Sequence, residues 1–288
     1  MASLSDWVAG ARPRTLPAAL VPVGVASAAA GAMGHFVWDR AALALVVSLA
    51  IQVATNYAND YSDGKRGTDD ARVGPMRLVA SKAASPKAVL SAAMGSFALA
   101  GVAGVILAIL SSPYLLVVGA AALLAGWFYT GGKRPYGYLG LGELFVFVFF
   151  GLVAVMGTYF VQVGRVDLFS AAISIPVGFL AVALLVINNL RDIANDAKSE
   201  KMTLAVRLGD HRTRILYVAL VVLAPLGSLA LFGWRHFAIL GVAALYFSVR
   251  PIRMVNSGKS GRDLVAVLAL TGRLQIIFGV LLSLGILL

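Results

Sequence analysis

The sequence predicts an all-α, polytopic membrane protein of about nine transmembrane helices. Three observations carry that prediction. Apolar residues make up 60% of the 288 and charged residues only 13%, against about 45–50% and about 25% in soluble domains. Mean hydropathy is +0.87. Apolar runs long enough to cross about 30 Å of hydrocarbon recur along the chain, without the alternation of a membrane barrel. A bilayer offers no water to backbone groups, so such runs pair their own N–H and C=O groups as helices. The composition excludes a water-soluble globule and a disordered chain. The lack of Cys excludes a disulfide scaffold, thiolate nucleophiles, Cys-ligated zinc and iron–sulfur clusters.

In chain order the runs fall at 15–34, 40–59, 88–110, 113–130, 140–162, 168–189, 214–233, 236–250 and 264–288. Arg12 and Arg14 precede the first run, but no short apolar stretch ends in a small-residue cleavage site, so it reads as a span. Glu143 opens the fifth run and reads as a structural residue that orders the preceding loop or caps the helix. In the same run, Phe145-Val-Phe147-Val-Phe149-Phe150 reads as lipid-facing filler rather than the lining of a tunnel. The eighth run is short, and so sits with little tilt or extends into an interface. Arg273 and Gln275 fall in the ninth, where a late start to the span lets Arg273 snorkel. Residues 1–288 read as one domain, with long loops at about 60–87 and 190–213.

Lys and Arg set the orientation. Of the 24, 20 fall on the side of the N-terminus and only Arg40, Arg165 and Arg235 on the other. The positive-inside rule places the richer side in the cytoplasm of a cell (inner) membrane. The net charge of +11 is therefore topology, and no nucleic-acid motif accompanies it. Acids contribute little to orientation, yet eight of the 13 crowd into the two long cytoplasmic loops. That clustering points to a cytoplasm-facing site, against the plainer reading of charges that neutralise one another in solvated loops.

The first acidic cluster spans Gln52, Asn56, Asn59, Asp60, Asp63, Lys65, Arg66, Asp69 and Asp70. Gln52, Asn56, Asp60 and Asp63 recur at helical spacing and share one face. The second spans Asn188, Asn189, Arg191, Asp192, Asn195, Asp196, Lys198, Glu200 and Lys201, with Asn188, Asp192 and Asp196 again four apart. The two Asn-x-x-x-Asp cores are 132 residues apart, a spacing that hints at a duplication of four helices. Polar groups so near hydrocarbon are costly and functional. Facing carboxylates repel unless cations lie between them. Hard oxygen donors suit Mg²⁺ or Mn²⁺ bound with substrate phosphates, and interleaved Lys and Arg suit the same phosphates. A diphosphate held by metal at the inner membrane surface follows. Tyr129 and Lys133, one turn apart where the fourth run ends, then make Lys133 a phosphate ligand rather than part of an interfacial belt.

Two Asp-rich segments after the second and sixth runs, Tyr129-x-x-x-Lys133 after the fourth, and nine spans resemble the UbiA-type intramembrane aromatic prenyltransferases. Ala11–Pro17, Asn56–Asp69, Tyr129–Glu143 and Thr203–Gly209 resemble the branch that prenylates 1,4-dihydroxy-2-naphthoate in menaquinone synthesis. The sequence departs from the family pattern at Gly67, where an Asp is usual, and at Lys82 and Glu200, where Gly is usual. The resemblance implies helices around a central cavity open to the cytoplasmic side and to membrane lipids. It implies Mg²⁺ on Asp60, Asp63, Asp192 and Asp196, helped by Asn56 and Asn188. It implies diphosphate on Lys133, Lys198, Lys201, Arg66 and Tyr129. The substrates are then a polyprenyl diphosphate and dihydroxynaphthoate, with Gln52 near the ring and Asp60 or Asp63 as a general base. Hydroxybenzoate and homogentisate are the alternative acceptors. Arg14 reads mainly as topology, though within reach of an acidic substrate. Two rivals fit less well. A CDP-alcohol phosphotransferase needs Ala-Arg two residues after Asp60-x-x-Asp63-Gly64, and here it comes after six. An ion-coupled transporter needs carboxylates at mid-bilayer and broken spans.

Overall fold

The computed structural model describes residues 2–68 and 76–288. Among them every regular element is helical. Asp69, Asp70 and Arg72 lie outside the described residues. The helices are α1 (Leu4–Ala11), α2 (Pro17–Ala32), α3 (Trp38–Arg66), α4 (Pro86–Leu110), α5 (Tyr114–Phe128), α6 (Gly142–Val163), α7 (Leu168–Lys198), α8 (Leu204–Leu231), α9 (His236–Asn256) and α10 (Gly261–Leu287).

Each of the nine apolar runs lies on one of α2–α10. Seven helices, α3, α4 and α6–α10, are long and apolar enough to cross a membrane. The stretch before Leu16 and α2 meet at a 54° bend and together form an eighth span if counted as one. Pro13 and Pro17 explain the break: each occupies a first helical position, where its missing N–H is harmless, and neither allows one helix to run through. Helix α5 has only 15 residues, roughly 22 Å, less than the hydrocarbon thickness.

The loop boundaries differ from the sequence expectation. Helix α3 runs beyond residue 59 to Arg66, and α7 beyond 189 to Lys198, so the connections shrink to 67–85 and 199–203. An apolar run ends where lipid ends, but helical hydrogen bonding does not depend on lipid. With 29 and 31 residues, these helices reach roughly 43 and 46 Å and carry their polar ends past the bilayer. Gly67 ends α3 at φ +74°, a left-handed conformation that glycine adopts without steric cost.

Helix α7 is the central post, with 72% of its apolar window buried. It packs on α2, α6, α8 and α10. Against α6 the approach is close: a Cβ on Gly151 would lie 2.8 Å from the Gly178 Cα, so only glycine fits. Gly151 sits in a π-helical stretch, Phe147–Val153, which rotates the aromatic face of α6. A second cluster, Tyr57, Ala58, Leu78, Val89 and Ala93, fastens the Asp-bearing end of α3 to α4 and to the segment around residue 78.

Candidate active site

The polar face of α3 is held from three sides. Asn56 Nδ2 donates to Ala11 O (2.9 Å) and to Thr15 Oγ1 (3.1 Å), while Gln52 Nε2 donates to Thr15 Oγ1 (3.3 Å) and to Asn56 Oδ1 (3.4 Å). Arg12 donates to Asn56 O (3.3 Å). One turn on, Asn59 Oδ1 accepts from Thr130 Oγ1 (2.7 Å). Asp60 is wholly buried, and its two oxygens accept the backbone N–H groups of Leu78 (2.8 Å) and Val79 (3.0 Å). Asp60 therefore latches the segment after α3. It was expected only as a metal ligand or base; a carboxylate has about four acceptor positions, so two remain for a cation.

On α7 the guanidinium of Arg191 forks onto Asp192, with Nε to Oδ1 and Nη2 to Oδ2 both 2.7 Å, and Nη2 also reaches Asn188 Oδ1 (2.8 Å). Arg191 had counted towards topology and among the basic residues interleaved with the acids, not as a partner of Asp192. Its spacing from Asn188 and Asp192 was the available signal, because the three share a helix edge. Asn189 donates to Glu143 Oε1 (2.9 Å), so Glu143 ties α6 to α7.

The two Asp-bearing ends meet. Asn195 Nδ2 donates to Thr68 O (2.8 Å). Lys201, at the end of the second cluster, donates its Nζ to Asp63 Oδ2 (3.2 Å) in the first and so joins the two. Asp63 Oδ1 accepts from the Tyr138 hydroxyl (2.8 Å). Burial, and then the charge of Asp63, push the Tyr138 phenol above its ordinary pKa, so it stays a donor. Arg66 is pinned by Thr130 O and Gly132 O, both at 2.5 Å. Tyr138 was missed because nothing in local spacing marks it. Lys133 and Lys198 are exposed and line neither cavity described below. The structure thus gathers Asp63, Lys201, Tyr138 and Arg66 into one polar chamber at the joined helix ends, with Arg66, Lys133 and Lys198 exposed at its surface.

Below the chamber runs an apolar cavity between α2, α3, α5, α6 and α7. Gln52, Asn56, Asn59, Tyr129 and Asn188 form its polar end. Phe145, Phe149 and Phe150 line its wall, with the Tyr136 ring stacked on Phe145 at 3.9 Å between centroids. This corrects the reading of those phenylalanines as lipid-facing filler. The π-helical turn, invisible in a 3.6-residue pattern, moves them inward. Phe147 instead stacks on Phe179 of α7. Arg273 is exposed, as snorkelling requires. A second cleft, lined by Arg12, Arg14, Arg77, Arg191, Arg262 and Asn188, joins the cavity through Arg12, Thr15 and Asn188.

Lys82 and Glu200, where the family pattern has glycine, adopt φ +59° and +56°. Both turns keep the glycine conformation despite the side chain.

Among the described residues no three His, Asp or Glu side chains cluster closely enough to hold a metal alone. That fits Mg²⁺, which takes one or two carboxylates and completes its shell with water and substrate phosphates. Asp63 and Asp60, three residues apart, and Asp192 and Asp196, four apart, supply such hard donors. Lys201 at Asp63 Oδ2 occupies the place of a cation.

Fold and site together define a polytopic helical membrane protein with a polar, Asp-rich chamber set over an apolar cavity. The chain belongs to the UbiA prenyltransferase family, whose model matches residues 19–282. It is 50% identical over 278 residues to the 1,4-dihydroxy-2-naphthoate octaprenyltransferase of Mycobacterium tuberculosis, covering 96% of this chain and 95% of that one. The corresponding protein of Mycobacterium leprae is 48% identical, covering 97% and 95%. A solved UbiA homolog from Archaeoglobus fulgidus, bound to GPP and Mg²⁺, superposes with a TM-score of 0.69 at 16% identity, over 98% of this chain and 99% of that one. That likeness shows the fold.

Proposed function

We propose that this protein transfers a polyprenyl group from its diphosphate to 1,4-dihydroxy-2-naphthoate, releasing CO₂ and diphosphate. The observation that carries the reading is the junction itself: Asp63, Lys201 and Arg66 around Tyr138 at the joined helix ends, with Asn56, Asn59 and Asn188 of the same helices forming the polar end of an aromatic-walled apolar cavity. The near full-length identity to the mycobacterial naphthoate octaprenyltransferases supports the choice of acceptor. The Lys and Arg distribution supports a chamber on the cytoplasmic face of the cell membrane. The whole chain acts as one domain.

The prenyl tail lies in the apolar cavity and its diphosphate in the chamber. Asp60, Asp63, Asp192 and Asp196, with Asn56 and Asn188 beside them, would hold Mg²⁺, and Arg191 fixes the rotamer of Asp192. Bound Mg²⁺ neutralises the charge that develops on the leaving diphosphate. Lys201 and Arg66 add positive charge to the same oxygens. Lys133 and Lys198, at the rim, attract the anion from solution. Tyr129 and Gln52 border the reacting carbon. The allylic C–O bond breaks with its electron pair leaving on the diphosphate. The phenylalanine and tyrosine faces surround the allylic cation and exclude water.

The arginine cleft receives the acceptor's carboxylate. Its lining brings five guanidinium groups to the level of Asn188, where the apolar cavity begins. The ring carbon that bears the carboxylate forms the new C–C bond. Its bond to the carboxylate then breaks, and that electron pair returns to the ring as CO₂ departs. Arginines hold the acceptor ionised, so the exchange balances without a base to remove a ring proton.

The test is mass spectrometry of products from purified protein, Mg²⁺, a polyprenyl diphosphate and a panel of aromatic acids. Prenylated naphthalenediol with stoichiometric CO₂ is the expected result. A product that retains its carboxylate, or preference for hydroxybenzoate, would overturn the assignment.

A further inference from the structure

Tyr138 has no role in the chemistry above, yet it touches three of its groups. It lies in the turn Tyr136–Leu139, between α5 and α6. Its hydroxyl donates to Asp63 Oδ1 (2.8 Å). The Arg66 guanidinium carbon and Lys201 Nζ each lie 5.1 Å from its ring centroid. Lys201 Nζ is also 3.2 Å from Asp63 Oδ2. A ring that merely filled space would not need a hydroxyl aimed at a carboxylate, nor two cations on its π system.

A problem in electrostatics gives this arrangement its use. With no divalent ion, Asp63 and Lys201 neutralise each other. A metal ion on Asp63 competes for the carboxylate and weakens its hold on the lysine just when the diphosphate needs it. A lysine on a four-carbon stem that is held less firmly gains rotamer freedom, which binding must remove again. The electron-rich face of an aromatic ring retains a cation without competing for the metal.

We propose that Tyr138 is a positioning residue. Its ring keeps Lys201 and Arg66 at the diphosphate subsite, and its hydroxyl sets the orientation of Asp63 towards the metal. The inference rests on the reading of this chamber as a diphosphate–Mg²⁺ site. Its two halves separate by substitution. Tyr138→Phe keeps the ring and removes the hydroxyl; Tyr138→Leu removes both.

The experiment uses the full chain in nanodiscs. A fluorescent geranyl diphosphate analogue is titrated first in EDTA and then against Mg²⁺, with thermal unfolding as a check on folding. Tyr138→Leu is expected to weaken metal-free binding about tenfold, the loss of two cation–π contacts. Tyr138→Phe is expected to bind the analogue within about twofold of native without metal, yet to need several-fold more Mg²⁺ for half-maximal enhancement, as loss of one charge-assisted hydrogen bond predicts. Native-like metal-free binding by Tyr138→Leu, or identical behaviour of the two variants, overturns the inference while the site reading stands. Failure of the native protein to bind the analogue overturns both.

Discussion

Lys201 Nζ and Asp63 Oδ2 lie 3.2 Å apart although 138 residues separate them in the chain. The pair joins the end of α3 to the strap that follows α7. Both side chains are largely withdrawn from solvent, at 14% and 2% exposure, so the interaction is stronger than an ordinary surface pair. It closes the chamber from above and sets the register between the two Asp-bearing ends.

Asp60→Ala is expected to damage the local fold as well as activity. The Leu78 and Val79 amides lose their shared acceptor at a fully buried site, a cost of about 1–3 kcal/mol. Hydrogen–deuterium exchange should show faster exchange at residues 78–79 in the variant. Unchanged exchange there would remove the latch from the account.

Arg191→Gln is expected to destabilise by about 3 kcal/mol, because the buried Asp192 carboxylate loses the two-pronged guanidinium contact of its neighbour. Arg191→Gln with Asp192→Asn together should recover most of that loss, since the buried carboxylate charge is removed as well. Chemical unfolding in detergent compares the two. A double variant no more stable than the single one would show that the fork contributes little to the fold.

Gly157→Leu is expected to discriminate by tail length. Gly157 lines the apolar cavity, and a Cβ there meets nothing within 4 Å, so a leucine projects into the bore instead of disturbing the helix packing. Overfilling costs about 1–3 kcal/mol. kcat/KM should fall roughly tenfold or more for long polyprenyl diphosphates relative to geranyl diphosphate. An equal loss for both would place the tail elsewhere.

Glu200→Gly is expected to raise the thermal midpoint, because residue 200 holds φ +56°. Relief of left-handed strain, worth about 1–2 kcal/mol, exceeds the added entropy of the unfolded chain by a few tenths to 1 kcal/mol. Lys82→Gly, at φ +59°, should act in the same direction. A lower midpoint in both would mean that side-chain contacts outweigh backbone strain at these turns.

Much of this protein was legible before any coordinates. The apolar runs gave the helices, since a bilayer leaves no alternative for an unpaired backbone. The four-residue spacing of Asn56 and Asp60, and of Asn188, Asp192 and Asp196, placed each acidic cluster on one helix face, because 3.6 residues per turn is a local property. The unusual Lys82 and Glu200 were visible as residues standing where glycine is usual. Helix ends were misplaced, because hydropathy reports where lipid stops and not where hydrogen bonding stops. Phe145, Phe149 and Phe150 were assigned to the wrong environment, because a π-helical turn changes phase without a sequence signature.

The sequence by itself determined the solvent, the helices and the chemistry of the two polar ends, all of which depend on residues within a turn or two of one another. Only the tertiary structure decided which groups share the chamber: Lys201 with Asp63, Tyr138 with both, Asn195 with Thr68, and five arginines around one cleft. Those pairings are made by side chains that reach across helices far apart in the chain, and they are set by the packing of α3, α6 and α7 around close contacts such as Gly151 with Gly178. Spacing along a chain carries no information about that packing.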